Sequence, residues 1–591
     1  MTIPYLDSSV ETSARVSDLL QRMTLEEKAG LFFHPYSWLP SETLSSSAAI
    51  DAARVLIEDK NISHFVVMNG TSASEIARWT NALQEIAAST RLRVPLTFSS
   101  DPRSGFKSSA FTGQTLDSLS RWPEHLGLAA LGDLSVVRDY ADTIRREFLA
   151  MGVRVYLGPM ADLFTEPRWS RGYGTFGEDP DAVALFTAEF IKGLRGQAVV
   201  GHESVSAIVK HFPGAGPQEA GRDAIDVRFP DQVYPGGLKD VHVRPFISAI
   251  NAGVTQMMLY YGRPVGTDWD TRGFAFNKDV VDGLLRNELG FDGIVTTDWN
   301  AVGSEPFNGH PFGPIAHGVD GTTVDERLVL ALEAGVDQFG GDTLSAELAQ
   351  LVRDGRVEES RIDASARRIL TEKFRLGLFE SGPVDPHEAE RVARDPRSRS
   401  RGRAAQAASL TLLKIHDPEL LPLAAGTRLY ARGFDGDSAN SPFVFVDRPA
   451  DADFCVVRID SPWEPDPESS VPDLHGGSLE FAPELIESLR ALASVAPLIL
   501  DVYLERPAIL APLLDVASIL VVDYGASDEV VLNALAGHTE FGGRLPFDIP
   551  RDMASVEASR EDVPFDTVRP TFRAGDGLQL PAGMKLVGAG E

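Results

Sequence analysis

A chain of 591 residues, 43% apolar and 24% charged, has material for a large core and for more than one domain. With 85 acidic against 55 basic residues, its net charge of −30 opposes binding to nucleic acid and to anionic membrane surfaces. The one cysteine, Cys455, sits in an apolar run and reads as buried, which excludes an internal disulfide and a thiolate metal cluster.

Met1–Asp7 lacks a basic region followed by an apolar run, and no stretch approaches the ~18 apolar residues of a membrane span. The expected location is therefore the cytoplasm. Within Ser8–Lys28, Val16, Leu19, Leu20 and Met23 recur at helical spacing. Strands are then predicted at Leu31–Phe33, His64–Met68, Val94–Ser99, Val153–Leu157, Ala207–Phe212, Gln256–Tyr261, Gly293–Thr297 and Val336–Phe339. Helices are predicted between them, at Ala73–Ala88, Asp181–Leu194, Pro245–Ala252, Lys278–Glu288 and Thr323–Ala334. Strands alternating with helices in this way predict a (β/α)8 TIM-type barrel over residues 1–380, closed by a helix at Ala364–Phe379.

The stretch 381–403, with Pro383, Pro386 and Pro396 among Arg and Glu, reads as a linker. Residues 404–591 form a second α/β unit, with strands predicted at Leu410–Ile415, Arg428–Ala431, Phe443–Phe445, Asp453–Ile459, Leu498–Tyr503 and Ser518–Asp523. Helices at Pro483–Ala493, Ile509–Val516 and Asp528–Ala536 complete a doubly wound α/β sandwich. One insertion stands apart. Gly303–Thr322, rich in Gly and Pro, follows a barrel strand and should lie over the mouth, as a lid, as the wall of a leaving-group site, or as a solvated loop. His310 and His317 within it do not make a metal site.

The candidate chemistry collects at strand ends. Gly293–Asn300 runs from apolar residues into Asp298 and Trp299, a carboxylate beside an indole, which suits chemistry on a sugar. Asp101 closes Val94–Asp101, Lys210 and His211 close Ser206–His211, and Tyr261 closes Gln256–Tyr261. Pro167–Arg171 lies just beyond Val153–Leu157. Any one of these alone reads as a cap or a surface group. Capping has no reason to choose the same end of five strands, whereas a barrel collects its catalytic residues at the C-terminal ends.

These residues sit in motifs that resemble glycoside hydrolase family 3. Arg22–Lys28 is similar to that family's "RMTLEEK", Pro167–Arg171 with Thr175–Pro180 to "PRWGR…FGEDP", Lys210–Gly214 to "KHFPG", and Thr297–Trp299 to "SDW". Gly542–Phe547 and Gly575–Leu578 resemble its "GRLPF…GHGL" ending, so the likeness runs along nearly the whole chain. The resemblance implies a retaining exo-β-glycosidase, most simply a β-glucosidase, with the site between barrel and sandwich and with no metal or organic cofactor. Asp298 would be the nucleophile. Asp101, Arg171, Lys210 and His211 would bind sugar hydroxyls, with Arg168 as a further binder or a brace for its loop. Tyr261 would hydrogen-bond near the nucleophile, and Trp299 would form an apolar wall. Glu178 and Asp179 read as a helix start.

A retaining glycosidase needs a second carboxyl, about 5–5.5 Å from the first and protonated at the outset. In the family it is often a Glu on a variable second-domain loop. Here that loop is Asp460–Ser470. Glu464 is the first choice because the adjacent Trp463 could desolvate its carboxyl, with Glu468 second and Asp466 third. The Gly214–Arg222 loop lacks the histidine donor of the N-acetylglucosaminidase branch, which disfavours that activity. β-Xylosidase or arabinosidase activity is the nearest alternative. A catalytically silent sugar-binding protein and a Lys210 Schiff-base lyase are the alternatives of another class. The expected partner is a glycoside, with no nucleic acid and no membrane, and the oligomeric state is left open, a homodimer among the options.

Overall fold

The computed structural model describes residues 3–109, 115–307, 310–434, 441–472 and 474–579. Seven strands pair in parallel in the spatial order Ile294–Thr296, Gln256–Leu259, Ser206–Phe212, Val155–Tyr156, Thr97–Ser100, His64–Met68 and Tyr36–Trp38. Phe33–His34, one residue upstream of the last, pairs in parallel with Phe339–Gly340, and Thr296 bridges Gln338. The ladder thus returns to its start, as a barrel requires. The first barrel strand, expected at Leu31–Phe33, is two short pieces on either side of Pro35, which has no N–H to give to a ladder. Its carbonyl still accepts from Val66 N at 3.0 Å.

Helices return the chain between strands, among them Ala73–Ser89, Pro180–Arg195, Lys239–Asn251 and Val324–Ala334. Leu134–Ala150, absent from the predicted set, buries Val137, Tyr140, Ala141, Ile144 and Phe148, an apolar stripe at helical spacing. The closing helix Glu359–Arg375 sends Lys373 into the floor of the barrel, where it donates to Ser63 O, Pro95 O and Thr97 Oγ1 at 2.8–3.0 Å. The stretch read as a linker is helical. Pro386–Ala393 and Pro396–Ser409 each begin on a proline, with Asp385 and Asp395 capping them. Proline is welcome at the first helical position, so here it starts helices rather than breaking them.

The second sheet has the order Thr411–Ile415, Ile519–Asp523, Leu498–Tyr503, Phe454–Asp460, Arg428–Arg432 and Val444–Phe445. All pairs are parallel except the edge strand Thr411–Ile415. The loops leaving the C-terminal ends of its central strands meet the barrel mouth. Tyr524 O accepts from Glu124 N at 2.8 Å, and Glu505 pairs with Lys107 at 2.8 Å.

Directional contacts hold the two units together. The carboxylate of Asp562 accepts from Gly236 N and Leu238 N, each at 2.7 Å. Glu178 is buried on the barrel side and accepts from Asp548 N at 2.6 Å and from Phe565 N at 2.9 Å. Replacing Glu178 by Gln puts an amide N–H against one of those donors. The expected loss is about 1–3 kcal/mol of stability, read from the midpoint of chemical unfolding. An unchanged midpoint would show that this pair of bonds does not hold the seam.

Candidate active site

The open end of the barrel holds a cleft lined by Asp101, Arg171, Lys210, Tyr261, Asp298 and Trp299, each expected there from its strand end or from the family motifs. Asp298 follows the Ile294–Thr296 strand and is 9% exposed. Its Oδ1 accepts from Trp299 N at 2.8 Å, which fixes the carboxyl plane. The Tyr261 hydroxyl donates to Trp299 O at 2.6 Å, bracing the same turn. Burial, with Asp298 close by, holds the phenol well above its ordinary pKa, so Tyr261 stays a neutral donor.

His211 lies just beneath, its Nε2 3.6 Å from Asp298 Oδ2. Neighbours on a regular strand point to opposite faces, yet Lys210 and His211 both serve the mouth. The ladder register shifts between Val209 and Phe212, and such irregularities re-aim side chains. Arg171 Nη2 donates to His211 Nε2 at 2.9 Å. Since a guanidinium only donates, Nε2 accepts, and the ring proton sits on Nδ1, which donates to Asp162 Oδ2 at 2.9 Å. Burial first, and then the charge of Arg171, push the imidazole well below its ordinary pKa. His211 is neutral. Burial lifts Asp162 to about 6 although it accepts from Ala215 N at 2.6 Å and from His211 N at 3.1 Å.

Arg171 is 3% exposed, and burial alone would weaken its charge. The carboxylates of Asp223 and Asp298 reverse this and raise its pKa. Asp223 stands 4.0 Å from Arg171 Nη1 and accepts from Trp169 Nε1 at 2.8 Å and from the Tyr260 hydroxyl at 2.9 Å. Across the cleft, Lys210 Nζ donates to Asp101 Oδ1 at 2.8 Å. A cation, a carboxylate, a guanidinium and a neutral imidazole around one carboxyl can address hydroxyls of both donor and acceptor character. Arg168 does not join them. Its guanidinium forks onto Glu166 at 2.7 and 2.8 Å and braces the loop.

The Gly303–Thr322 insertion supplies a wall. Glu305–Phe307 pairs antiparallel with His310–Phe312, and Phe307 and Phe312 line the cleft beside Tyr36 and Trp299. Asn300, held at φ 59°, pins this hairpin by donating to Glu305 O at 3.2 Å and Phe312 O at 3.0 Å.

The second-domain loop departs from expectation. Trp463 does not desolvate Glu464. The indole stacks on His475 at 4.2 Å, while Glu464 is exposed and accepts from Ser478 N at 3.0 Å. Glu464 lines a groove beside the Asp298 cleft, facing Ser170, Asp223 and Phe229. Asp223 lines this groove and also stands 4.0 Å from Nη1 of Arg171, which lines the Asp298 cleft. Asp466 and Glu468 are tied to Arg228 at 2.8 and 3.4 Å. Glu178 serves the seam between the units, and Asp179 caps the Pro180–Arg195 helix.

Asp162, Asp223, Tyr36 and the two phenylalanines were not among the predicted residues. Asp162 lies five positions beyond Leu157, so the strand-end rule could have reached it. Asp223, in a loop without periodicity, gave no signal.

A model of the glycosyl hydrolase family 3 N terminal domain matches residues 25–372. Over 582 residues the chain is 41% identical to beta-glucosidase C of Emericella nidulans, covering 97% of this chain and 93% of that protein. The chain belongs to glycosyl hydrolase family 3. It is a glycoside hydrolase, 36% identical over 599 residues to the periplasmic beta-glucosidase/beta-xylosidase of Dickeya chrysanthemi, with 97% and 91% of the two chains covered. In fold, this family 3 chain matches a β-glucosidase from Erythrobacter marinus at a TM-score of 0.81 and 22% identity, covering 98% and 84% of the two. It matches a Listeria innocua β-glucosidase in complex with isofagomine at 0.75 and 21%, covering 96% and 83%.

The Asp162–His211 bond carries a direct consequence. In Asp162→Asn, whichever way the amide sits, an N–H faces a donor from His211 or Ala215. The kcat/KM toward an aryl glycoside should fall about 5- to 150-fold, the rate equivalent of ~1–3 kcal/mol, with the circular dichroism unchanged. A change below twofold would contradict the tautomer assigned here.

Proposed function

We propose that this family 3 hydrolase is a retaining β-glucosidase acting by double displacement. Asp298 attacks the anomeric carbon of the terminal sugar while the aglycone oxygen leaves with a proton from Glu464. The resulting glycosyl ester on Asp298 is then cleaved by a water that returns its proton to Glu464, releasing the sugar with retained configuration. The observation that carries this reading is the Asp298 carboxyl at the cleft floor, with Arg171 and neutral His211 beside it. Lys210 and Asp101 bind hydroxyls on one side of the sugar, and Arg171 and His211 on the other. Trp299, Phe307 and Phe312 cover its apolar face.

Glucose as the terminal sugar is supported by the two curated relatives, both named for β-glucosidase activity. The second of these is also named a beta-xylosidase, which makes a β-xyloside the second substrate to test. Glu464 as the acid/base is supported by its place on the second-domain wall of a groove whose barrel-side wall includes Ser170 and Asp223, neighbours of Arg171 in sequence and in space.

A panel of p-nitrophenyl glycosides should show turnover highest for β-D-glucoside, then β-D-xyloside. Asp298→Asn should lower the β-glucoside rate about a thousandfold or more. Equal rates in the two enzymes, or no hydrolysis of any member by either, would overturn the proposal. Glu464→Ala should slow substrates with poor leaving groups by roughly 10²–10⁴-fold, spare those with good ones, and be rescued by azide. Wild-type behaviour in that variant would remove Glu464 as the acid.

A further inference from the structure

Arg506 is a buried guanidinium, 0% exposed, that makes no ion pair among the described residues. Its Nη1 donates to Arg168 O at 2.9 Å and Gly477 O at 3.1 Å. Its Nη2 donates to Pro462 O at 2.6 Å, Gly476 O at 2.9 Å and Ser478 O at 3.1 Å. These acceptors have a pattern. Pro462 lies on the outgoing arm of the loop that holds Glu464, and 476–478 form the returning arm. Arg168 belongs to the barrel loop that three residues later presents Arg171.

The returning arm is what Glu464 leans on. Its Oε2 accepts from Ser478 N at 3.0 Å, and its own N donates to Gly476 O at 3.0 Å. Gly477 sits at φ +83°, and a Cβ there would come within 2.4 Å of Glu464 Oε2. Burial draws the Arg506 guanidinium down to about 10, opposed by the nearby carboxylates of Glu505, Glu464 and Glu166. Keeping a charged group in such a place is costly, and ordinary loop packing could be done by an apolar side chain. What a planar fork supplies, and an apolar group cannot, is a fixed distance between three backbone segments.

We propose that Arg506 is a positioning residue for proton donation, setting the Glu464 arm in register with the Arg171 loop across the two domains. The proposal rests on the reading of this loop as the carrier of the acid/base. It predicts a defect confined to the step that needs the acid. Lysine at this position keeps a charge but cannot span the three segments. Gly477→Ala presses on Glu464 directly from the returning arm and leaves the guanidinium itself in place.

The test is the ratio of kcat/KM for dinitrophenyl β-D-glucoside to that for phenyl β-D-glucoside, in wild type, Arg506→Lys, Gly477→Ala and Glu464→Ala. The ratio is independent of how much enzyme is folded, so a merely structural defect leaves it unmoved. In Arg506→Lys and Gly477→Ala it should rise about tenfold or more, because only the phenyl substrate needs its leaving oxygen protonated. A ratio within about twofold of wild type in Arg506→Lys would overturn the role of Arg506, whatever Gly477→Ala and Glu464→Ala show. A ratio that rises in the Arg506 and Gly477 variants but not in Glu464→Ala would leave Arg506 in place and move the acid to another residue of the loop.

Discussion

A guanidinium held out of water must find its partners within the protein, and Arg171, at the barrel mouth, finds them in carboxylates. It is 3% exposed, and Asp223 and Asp298 together restore the charge that burial would remove. Its third partner, His211, is thereby forced to accept at Nε2 and to donate through Nδ1 to Asp162. One buried cation therefore fixes the protonation of an imidazole, the orientation of a carboxyl and the setting of Asp298. Removing any member leaves the others uncompensated in a low-dielectric space, which is why the site behaves as a unit rather than as a set of separate binders.

The barrel delivers this network, and the sandwich closes one side of it. Parallel strands of both units end toward a common space, the arrangement in which α/β folds place their ligands. The junction is built from directional bonds, such as Asp562 to Gly236 N and Leu238 N, and Glu178 to Asp548 N and Phe565 N. Bonds of that kind define a relative position more tightly than apolar contact alone. A glycosidase that draws its two carboxyls from different domains needs such definition, because the separation between them decides the stereochemical course.

Much of this was legible in the chain. Apolar runs ending in Asp101, Lys210, Tyr261 and Asp298 located the barrel strands and their working ends, and those side chains do share one cleft. The order of the second-domain strands along the chain was also readable, since each is a short run rich in apolar residues. What escaped depends on contacts distant in sequence. Whether Trp463 covers Glu464 or stacks on His475 is decided by a loop that folds back on itself. Pro386 and Pro396 begin helices because an aspartate precedes each, a local signal outweighed by the weight given to proline as a breaker. The bond from Asp162 to His211 spans 49 positions, and nothing in the local pattern announces it.

In the proposed double displacement the Asp298 carboxylate becomes covalently bonded to the sugar during turnover. That bond can be read directly by reacting the enzyme with an activated 2-deoxy-2-fluoro-β-D-glucoside, digesting it and mapping the modified peptide by mass spectrometry. One added fluoroglucosyl group is expected, carried by the peptide containing Gly293–Asn300 and located on Asp298. Inactivation with the label on a different residue, or turnover with inversion at the anomeric carbon, would contradict the proposed mechanism.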